Sequence, residues 1–321
     1  MRIAVLGLGS SGSRHTRNLL QLGHEVVGFD PGDAETPDGA TRAASELDAI
    51  RAAEAVVVAS SSSVHAHHAL TALAEARPVL VEKPLATTAA DAVAIGEAAR
   101  TVGVASGVAM NLRFLPALLA LKQLVDGGRL GTLHLAEAVF GYDLRRWRPE
   151  SDYRSSYSAR ADLGGGIVLD AVHELDYLVW LLGPVDAVSA ETARVSTLEV
   201  DVEDVALALL RFRSGALGSV SVNFFEPAYR RGCTLAGSDA VACWTWGRDA
   251  LELRHDGDRI EDVPAAGDVA ETYVAVLRDF VAAVEAGRAP RTTLDEGIAV
   301  VRLAEAVKRA ASDGRRISLE A

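Results

Sequence analysis

The sequence contains little cysteine and no long uncharged apolar run. Only Cys233 and Cys243 occur among its 321 residues. Neither has a histidine or cysteine partner at zinc-binding spacing, so we expect neither a disulfide framework nor a structural zinc site. No apolar run approaches the roughly 18 residues that cross a bilayer, and the apolar stretch Ile3–Leu6 is too short for a secretory signal. We therefore expect a cytoplasmic protein that binds no membrane.

Positive charge is also scarce. The chain has 32 lysine and arginine residues against 44 aspartate and glutamate residues, a formal net charge of −12. This balance argues against a nucleic-acid binder, which needs a basic face for the phosphate backbone. With 49 % hydrophobic and 24 % charged residues, the composition is typical of a globular protein, and the length suggests two domains.

The first 110 residues alternate between short apolar runs and longer stretches rich in alanine and leucine. The predicted strands are Ile3–Leu6, Val26–Phe29, Ala55–Ala59, Val79–Val81 and Val104–Ser106. The predicted helices are Gly12–Leu22, Thr41–Ala52, Val64–Glu75 and Ala89–Thr101. Unbroken apolar strands that alternate with helices predict an α/β fold with a doubly wound parallel sheet, buried on both faces.

A glycine-rich turn follows the first predicted strand and reads Gly7-Leu8-Gly9-Ser10-Ser11-Gly12. This is the G-x-G-x-x-G pattern of dinucleotide-binding turns. Gly7 allows the tight turn, Gly9 lets the backbone approach a pyrophosphate, and Gly12 permits close packing of helix on strand. The backbone at Ser10 and Ser11 then offers N–H groups to the anion. The alternative is a glycine-rich turn that binds nothing.

The second predicted strand ends at Asp30, 18 residues beyond Gly12. A carboxylate there accepts hydrogen bonds from both ribose hydroxyls and repels a 2′-phosphate, which favours NAD(H) over NADP(H). The next basic residue, Arg42, lies too far along the chain to suggest a phosphate clamp.

Two further strand ends carry polar residues where a dinucleotide would pass. Ser60, Ser61 and His65 follow the third strand, although Ser63 in this segment is an alternative cap for the next helix. Glu82 follows the fourth strand. We predict that these residues contribute to cofactor binding.

Lys83 follows Glu82 and precedes Pro84, which holds it in an extended conformation at the sheet edge. It is one of only three lysines among the 32 basic residues. An amine can release its proton where a guanidinium cannot, so Lys83 is a candidate for proton transfer as well as for cofactor and substrate binding. The alternative is a solvated lysine at a turn.

A single helix is predicted over Ile167–Leu182, ended by Gly183 and Pro184. Apolar residues surround it, which indicates burial on nearly all sides. Asp170 and His173 lie one turn apart on a buried face and must bond to each other or to a ligand. Asp170 either orients His173 for proton transfer or forms a structural pair with it. No second cluster supplies further ligands, so no metal site is expected.

Five stretches together resemble the glucose-fructose oxidoreductase / inositol dehydrogenase / MocA family of NAD(P)-dependent sugar oxidoreductases. They are Gly7–Gly12 with His15, Asp30-Pro31, Glu82–Pro84, Asn111–Phe114 and Gly164–Asp176. Glu-Lys-Pro combined with Gly-Gly…Asp…His is more specific than the glycine turn alone. Asp170 and His173 are three residues apart, where many members have a spacing of four.

The resemblance implies an NAD(P)-binding Rossmann domain over residues 1–114. It also implies an α/β substrate domain over 115–321, whose large, mostly antiparallel sheet makes a homodimer or homotetramer. Lys83, Asp170 and His173 map onto the catalytic positions of the family. The period-two alternation of Ser219–Phe224 agrees with such a sheet.

The loop Gly141–Leu163 is rich in arginine and aromatic residues, including Arg148. Tyr153, Arg154 and Tyr157 are candidate contacts to an anionic sugar, and Arg113 is a further candidate. Acidic residues balance much of this charge, so a solvated surface loop is the alternative.

These features predict reversible oxidation of a secondary alcohol on a sugar, sugar acid or cyclitol-like substrate. His173 is the candidate base, Asp170 orients it, and Lys83 polarises the same oxygen or shares the proton relay. Two alternatives stay open: a catalytically silent regulatory protein that binds NAD and a sugar, and an NADPH-linked keto-sugar reductase.

Overall fold

A computed structural model describes residues 1–147, 149–256 and 260–319, and the chain divides into two compact units. Unit 1 comprises Met1–Asn111 and Val269–Val301, and unit 2 comprises Leu112–Asp268 and the residues from Arg302 onward. The first division lies close to the predicted boundary after residue 114. Residues 269–301 group with the N-terminal unit, although the sequence predicted them in the second domain.

Unit 1 contains a six-stranded, all-parallel sheet in the order β3-β2-β1-β4-β5-β6. Its first ten elements are β1 (Arg2–Leu6), α1 (Ser10–Gln21), β2 (Glu25–Phe29), β3 (Thr41–Arg42), α2 (Glu46–Arg51), β4 (Ala55–Val58), α3 (His65–Ala74), β5 (Val79–Val81), α4 (Ala89–Val102) and β6 (Ser106–Val108). The strands β1, β4 and β5 are almost entirely buried. This confirms the predicted doubly wound parallel sheet.

Two predicted elements of unit 1 are wrong in detail. The helix predicted over Thr41–Ala52 starts only at Glu46, because the Ser45 hydroxyl caps it by accepting a hydrogen bond from the Asp48 N–H. The residues before it form β3 instead. The last strand is β6 rather than Val104–Ser106, because α4 continues to Val102 and ends in the left-handed conformation of Gly103 (φ 74°).

The other elements follow in chain order. They are α5 (Pro116–Asp126), β7 (Leu133–Gly141), α6 (Leu144–Trp147), α7 (Ile167–Asp170), α8 (Val172–Leu182), β8 (Val185–Ala193), β9 (Val205–Phe212), β10 (Leu217–Asn223), β11 (Arg230–Gly237), β12 (Ala240–Thr245), β13 (Ala250–His255), β14 (Ile260–Pro264), α9 (Val269–Ala286), α10 (Leu294–Asp313) and β15 (Ile317–Ser318).

Unit 2 contains a nine-stranded sheet in the order β14-β13-β12-β11-β7-β10-β9-β8-β15. Only β7 and β10 pair in parallel, and the other neighbours are antiparallel. The predicted mostly antiparallel sheet is therefore confirmed. Along β9, buried residues alternate with exposed ones, as in a sheet with one face packed on the core, and α7 contacts this strand.

The predicted helix over Ile167–Leu182 is interrupted at Ala171, whose backbone angles are φ −88° and ψ 29°. Asp170 ends α7, and His173 is the second residue of α8. The relation between these two side chains therefore cannot be derived from the periodicity of one continuous helix. Burial all round is confirmed for Val172–Leu178.

Within the described ranges, no helix combines the length and the apolarity that a membrane crossing needs.

Candidate active site

The glycine-rich turn between β1 and α1 has the geometry that a dinucleotide-binding turn needs. Gly7 has φ 91°, in the left-handed region, and its N–H donates to Phe29 O at 2.8 Å. A Cβ on Gly12 would lie 1.8 Å from Gly7 O, so only glycine allows α1 to pack this closely. A Cβ on Gly9 would meet nothing within 4 Å in the part of the chain that is described. Gly9 therefore keeps open the space over the first turn of α1, the kind of position at which a helix N-terminus can accept an anion.

Asp30 connects the end of β2 to this turn. Its carboxylate accepts hydrogen bonds from the Leu8 N–H at 2.7 Å and from the Gly32 N–H at 2.8 Å. Arg42 also lies at this corner, where its guanidinium donates to Asp30 O and Gly32 O, both at 2.9 Å. Arg42 is therefore not remote from Asp30, contrary to the prediction from sequence spacing, because β3 pairs with β2 and sets Arg42 opposite Gly28.

Some polar groups of the segment 60–65, which follows β4, form hydrogen bonds within unit 1 and have a structural role. His65 is 1 % exposed, with Nδ1 at 2.8 Å from Pro84 O and Nε2 at 3.1 Å from Ser60 O. Burial lowers the pKa of His65 despite the bonds to the Pro84 and Ser60 carbonyls, so the ring is neutral near pH 7 and its single N–H donates to only one of them. Ser61 caps the short 3₁₀ turn Ser62–Val64 without a side-chain bond to it. Ser63 lies inside that turn and does not cap α3.

Glu82 and Lys83 directly follow β5, and hydrogen bonds fix the Glu82 side chain and the Lys83 backbone. His15 is fully buried in α1, and its Nε2 lies 2.6 Å from Glu82 Oε1. Glu82 Oε2 accepts the Lys83 N–H at 3.0 Å. Burial acts to raise the pKa of Glu82, but the hydrogen bond and charge of His15, together with Lys83, hold it below its usual value. Glu82 therefore acts as an anion that fixes the backbone of Lys83.

The partnership of His15 with Glu82 was missed by the sequence analysis. His15 appeared there only as part of a resemblance, because the two residues are 67 positions apart. The available signal was a histidine in α1 three residues after Gly12, on the side of that helix that packs on the sheet.

Asp170 and His173 are each 6 % exposed in unit 2. The carboxylate of Asp170 accepts hydrogen bonds from the Tyr157 hydroxyl at 2.5 Å and the Ser158 hydroxyl at 2.6 Å, one on each oxygen. Ser158 was not predicted. It precedes the three glycines 164–166, where Gly165 lies against the backbone carbonyls of residues 157, 158 and 160 and brings this loop to Asp170.

The remaining predicted substrate contacts have partners of their own. The buried guanidinium of Arg113 forms a two-pronged ion pair with Asp176 at 2.7 to 3.1 Å. Arg154 pairs with Asp152 and Glu199 at the surface, and the Tyr153 hydroxyl accepts the Glu199 N–H at 3.1 Å.

Arg145 and Arg160 likewise pair with Asp143 and Asp162. Arg148 lies outside the described residues. Much of the positive charge of this loop is therefore neutralised locally.

Comparisons with known proteins agree with this geometry. The family model described as "Oxidoreductase family, NAD-binding Rossmann fold" matches residues 1–110, and the GFO/IDH/MocA C-terminal domain matches residues 118–243. Inositol 2-dehydrogenase 1 of Saccharopolyspora erythraea is 31 % identical, with the alignment covering 100 % of this chain and 96 % of the relative. The chain belongs to the GFO/IDH/MocA family of oxidoreductases.

Other relatives of this oxidoreductase differ in their reactions. It is 29 % identical to 1,5-anhydro-D-fructose reductase of Ensifer adhaerens, over 83 % of this chain and 80 % of the relative. The chain is 25 % identical to the NADP+-linked scyllo-inositol 2-dehydrogenase IolW of Bacillus subtilis, with the alignment covering 100 % of this chain and 96 % of the relative. Among solved structures, GenD2 from gentamicin A biosynthesis, in complex with NAD, has a TM-score of 0.86 at 26 % identity, over 100 % and 97 % of the two chains. The predicted family, fold and NAD(P)-dependent oxidoreductase activity are confirmed.

Two of the three glycines of the turn, Gly9 and Gly12, allow a matched test in this oxidoreductase. Gly9→Ala is expected to unfold at the wild-type temperature, because its new Cβ meets open space, and to weaken NAD binding about tenfold or more by obstructing the pyrophosphate. Gly12→Ala is expected to lower the Tm, because its Cβ overlaps backbone. Thermal unfolding and NAD titration measure both effects. Wild-type NAD affinity in Gly9→Ala would contradict the assignment.

Proposed function

We propose that this oxidoreductase interconverts a secondary alcohol and a ketone on an uncharged sugar or cyclitol. The observation that supports this proposal most strongly is the fixed backbone around Lys83, which follows β5. Two buried side chains hold its flanking backbone, Glu82 through the Lys83 N–H and His65 through Pro84 O. Such reinforcement is expected where one amine must be placed accurately for chemistry. The sugar and cyclitol relatives support this substrate class.

In the proposed reaction, protein groups handle the proton of the hydroxyl that is oxidised. Bound nicotinamide would supply the hydride acceptor or donor. His173 takes the hydroxyl proton, Asp170 positions it, and Lys83 donates a hydrogen bond to the same oxygen or shares the relay. Tyr157 and Ser158 hold the Asp170 carboxylate in one orientation. The residues for holding the dinucleotide are Gly7, Gly9, Gly12 and Asp30, whose geometry fits a pyrophosphate and a ribose.

The paired arginines of loop 141–163 favour an uncharged substrate over an anionic one. Arg145, Arg154 and Arg160 already have carboxylate partners. An anionic substrate would have to compete with these bonds. Tyr153, Arg154 and Arg113 consequently rank below Tyr157 as substrate contacts, since Tyr157 is anchored beside the proposed catalytic carboxylate.

The proposal is tested by following NADH absorbance at 340 nm with a panel of cyclitols, neutral sugars and sugar acids. We expect turnover on neutral polyols. NAD binding without turnover on any member would favour the silent regulatory protein, and turnover confined to sugar acids would contradict the substrate class.

We propose NAD(H) as the preferred cofactor, because the Asp30 carboxylate is fixed at the end of β2 by two backbone N–H groups. Arg42 at the same corner favours the NADPH-linked alternative, since it could turn toward a 2′-phosphate, although three carbonyl oxygens currently hold it.

Asp30→Ser is expected to reduce the preference for NAD over NADP by about tenfold or more, because the repulsion of a 2′-phosphate is removed. The ratio of kcat/KM for the two cofactors measures this, with Asp33→Ser, a nearby exposed aspartate, as the matched control. An unchanged ratio in Asp30→Ser would assign the preference to another group.

We further propose a homodimer or homotetramer through the sheet of unit 2. Leu207, Leu209 and Leu217 are 52 %, 65 % and 47 % exposed on that sheet, an arrangement typical of interfaces between subunits. The cytoplasmic location is likewise a prediction from the sequence.

A further inference from the structure

A cluster of metal-binding side chains lies in unit 1 and takes no part in the proposed reaction. It consists of Glu46, the first residue of α2, and of His67 and His68 in the first turn of α3. Glu46 Oε2 lies 3.0 Å from His67 Nε2 and 3.8 Å from His68 Nε2. One donor atom from each residue falls within 4.8 Å of the other two.

These separations fit the coordination sphere of a small divalent metal. Zinc binds histidine nitrogen and carboxylate oxygen at about 2.0–2.2 Å with tetrahedral angles, which separates neighbouring ligand atoms by about 3.4 Å. The two observed separations, 3.0 and 3.8 Å, lie on either side of this value. Rotation of the exposed His67 side chain can adjust its own distance to the other two ligands.

The other oxygen of the Glu46 carboxylate bears on the same site. Among the described residues, no hydrogen-bond partner reaches Glu46 Oε1, although this atom is buried. A buried carboxylate oxygen without a donor costs free energy, and such atoms are rare in folded proteins. The contact of Glu46 with His67 satisfies only the other oxygen.

His68 is held as a metal ligand would be. Its side chain is 9 % exposed, and Ser60 Oγ lies 2.9 Å from its Nδ1. A hydrogen bond on one ring nitrogen fixes the ring and leaves the other nitrogen for a metal, the usual arrangement around ligating histidines.

We propose that Glu46, His67 and His68 form a binding site for one divalent transition-metal ion of the zinc class. Two imidazoles and one carboxylate suit this class better than Mg²⁺ or Ca²⁺, which prefer oxygen ligands. His67, 66 % exposed, gives the ion access from solvent, and water completes the coordination. The ion links α2 to α3 beside Ser60 and stabilises unit 1.

No metal site was predicted from the sequence, because no second cluster of ligands was recognised there. Adjacent histidines such as His67 and His68 point in different directions on an ideal helix. Glu46 is also 21 residues away along the chain. The two rings nevertheless lie with their centroids 5.5 Å apart, in the first turn of α3, where both reach Glu46.

The test is a calorimetric titration of the chelator-treated full chain with ZnCl₂ alone, combined with thermal unfolding. Wild type is expected to bind one equivalent and to gain about 2–4 °C or more in Tm at saturation. His67→Gln, His68→Gln and Glu46→Gln are each expected to weaken binding at least about tenfold. His67→Gln replaces an exposed side chain, so its fold is expected to remain intact.

His255→Gln is the matched control, because His255 Nε2 also lies near a carboxylate, 3.2 Å from Glu261, but in a pair with a single histidine. Full zinc binding in His255→Gln, with loss in His67→Gln, supports the proposal. Equal zinc uptake by wild type and His67→Gln, or loss of uptake in His255→Gln alone, would overturn it. Neither result depends on turnover, so the outcome is independent of the proposed function.

Discussion

Lys83→Met is expected to lower kcat by about 100-fold or more and to leave NADH binding close to that of wild type. Methionine has a similar length and fills the same space, but it cannot donate a hydrogen bond to the reacting oxygen or relay a proton. The backbone on both sides stays fixed, because its bonds run through the Lys83 N–H and Pro84 O. Stopped-flow turnover and NADH fluorescence titration measure the two quantities separately.

Lys122→Met is the matched control for this change. Lys122 lies in α5 and pairs with Asp126 one turn later, so its loss is expected to leave kcat within about twofold of wild type, as for most surface positions. Near-normal turnover of Lys83→Met would remove the amine from the mechanism. Loss of NADH binding in that variant would instead assign Lys83 to the cofactor site.

The fold of unit 1 was predictable because its signals are local. Apolar strands, the glycine turn and the helix stops each occupy a few consecutive residues, and parallel pairing follows from their alternation. The predicted helix bounds were wrong where a second local signal competed with the hydrophobic pattern. Ser45 caps α2 and sets its first residue. The non-helical backbone of Ala171 interrupts a helix that the apolar periodicity predicts to be continuous.

The candidate site was predictable in its residue types but not in its contacts. Lys83 and Asp30 could be named from strand ends, since the edge of a parallel sheet is set by topology. The His15–Glu82 bond, the Tyr157–Asp170 bond and the position of Arg42 depend on tertiary packing. Sequence spacing carries no direct information about such contacts.

The buried ion pair of Arg113 and Asp176 has a structural role, which distinguishes Arg113 from the residues proposed to take part in the reaction. Asp176 neutralises the guanidinium of Arg113, and both are buried in unit 2. Removing one partner of such a pair leaves an uncompensated buried charge and costs stability. Substitution of Arg113 would therefore confound folding with activity, and it is a poor probe of substrate binding.

His173→Asn is expected to lower kcat/KM by about 100- to 10,000-fold, the range for loss of a positioned acid–base group. His134→Asn, on an exposed position of β7, is the matched control and is expected to retain wild-type turnover. Because His173 is buried, the Tm of the variant is measured alongside. A folded variant with near-normal turnover would exclude His173 as the base.

The double variant Lys83→Met/His173→Asn tests whether the two groups serve one proton transfer. Residues that act as a unit are strongly non-additive, so the double variant is expected to lose about as much kcat as the more damaging single variant. Multiplication of the two losses would mean that the amine and the imidazole act in separate steps.

Asp170→Asn is expected to lose less kcat than the substitution of the base itself, because the Tyr157 and Ser158 hydroxyls can still bond to the asparagine side-chain amide. Its loss is therefore expected to be smaller than that of His173→Asn, and a larger loss would make the charge of Asp170 the decisive feature of the site.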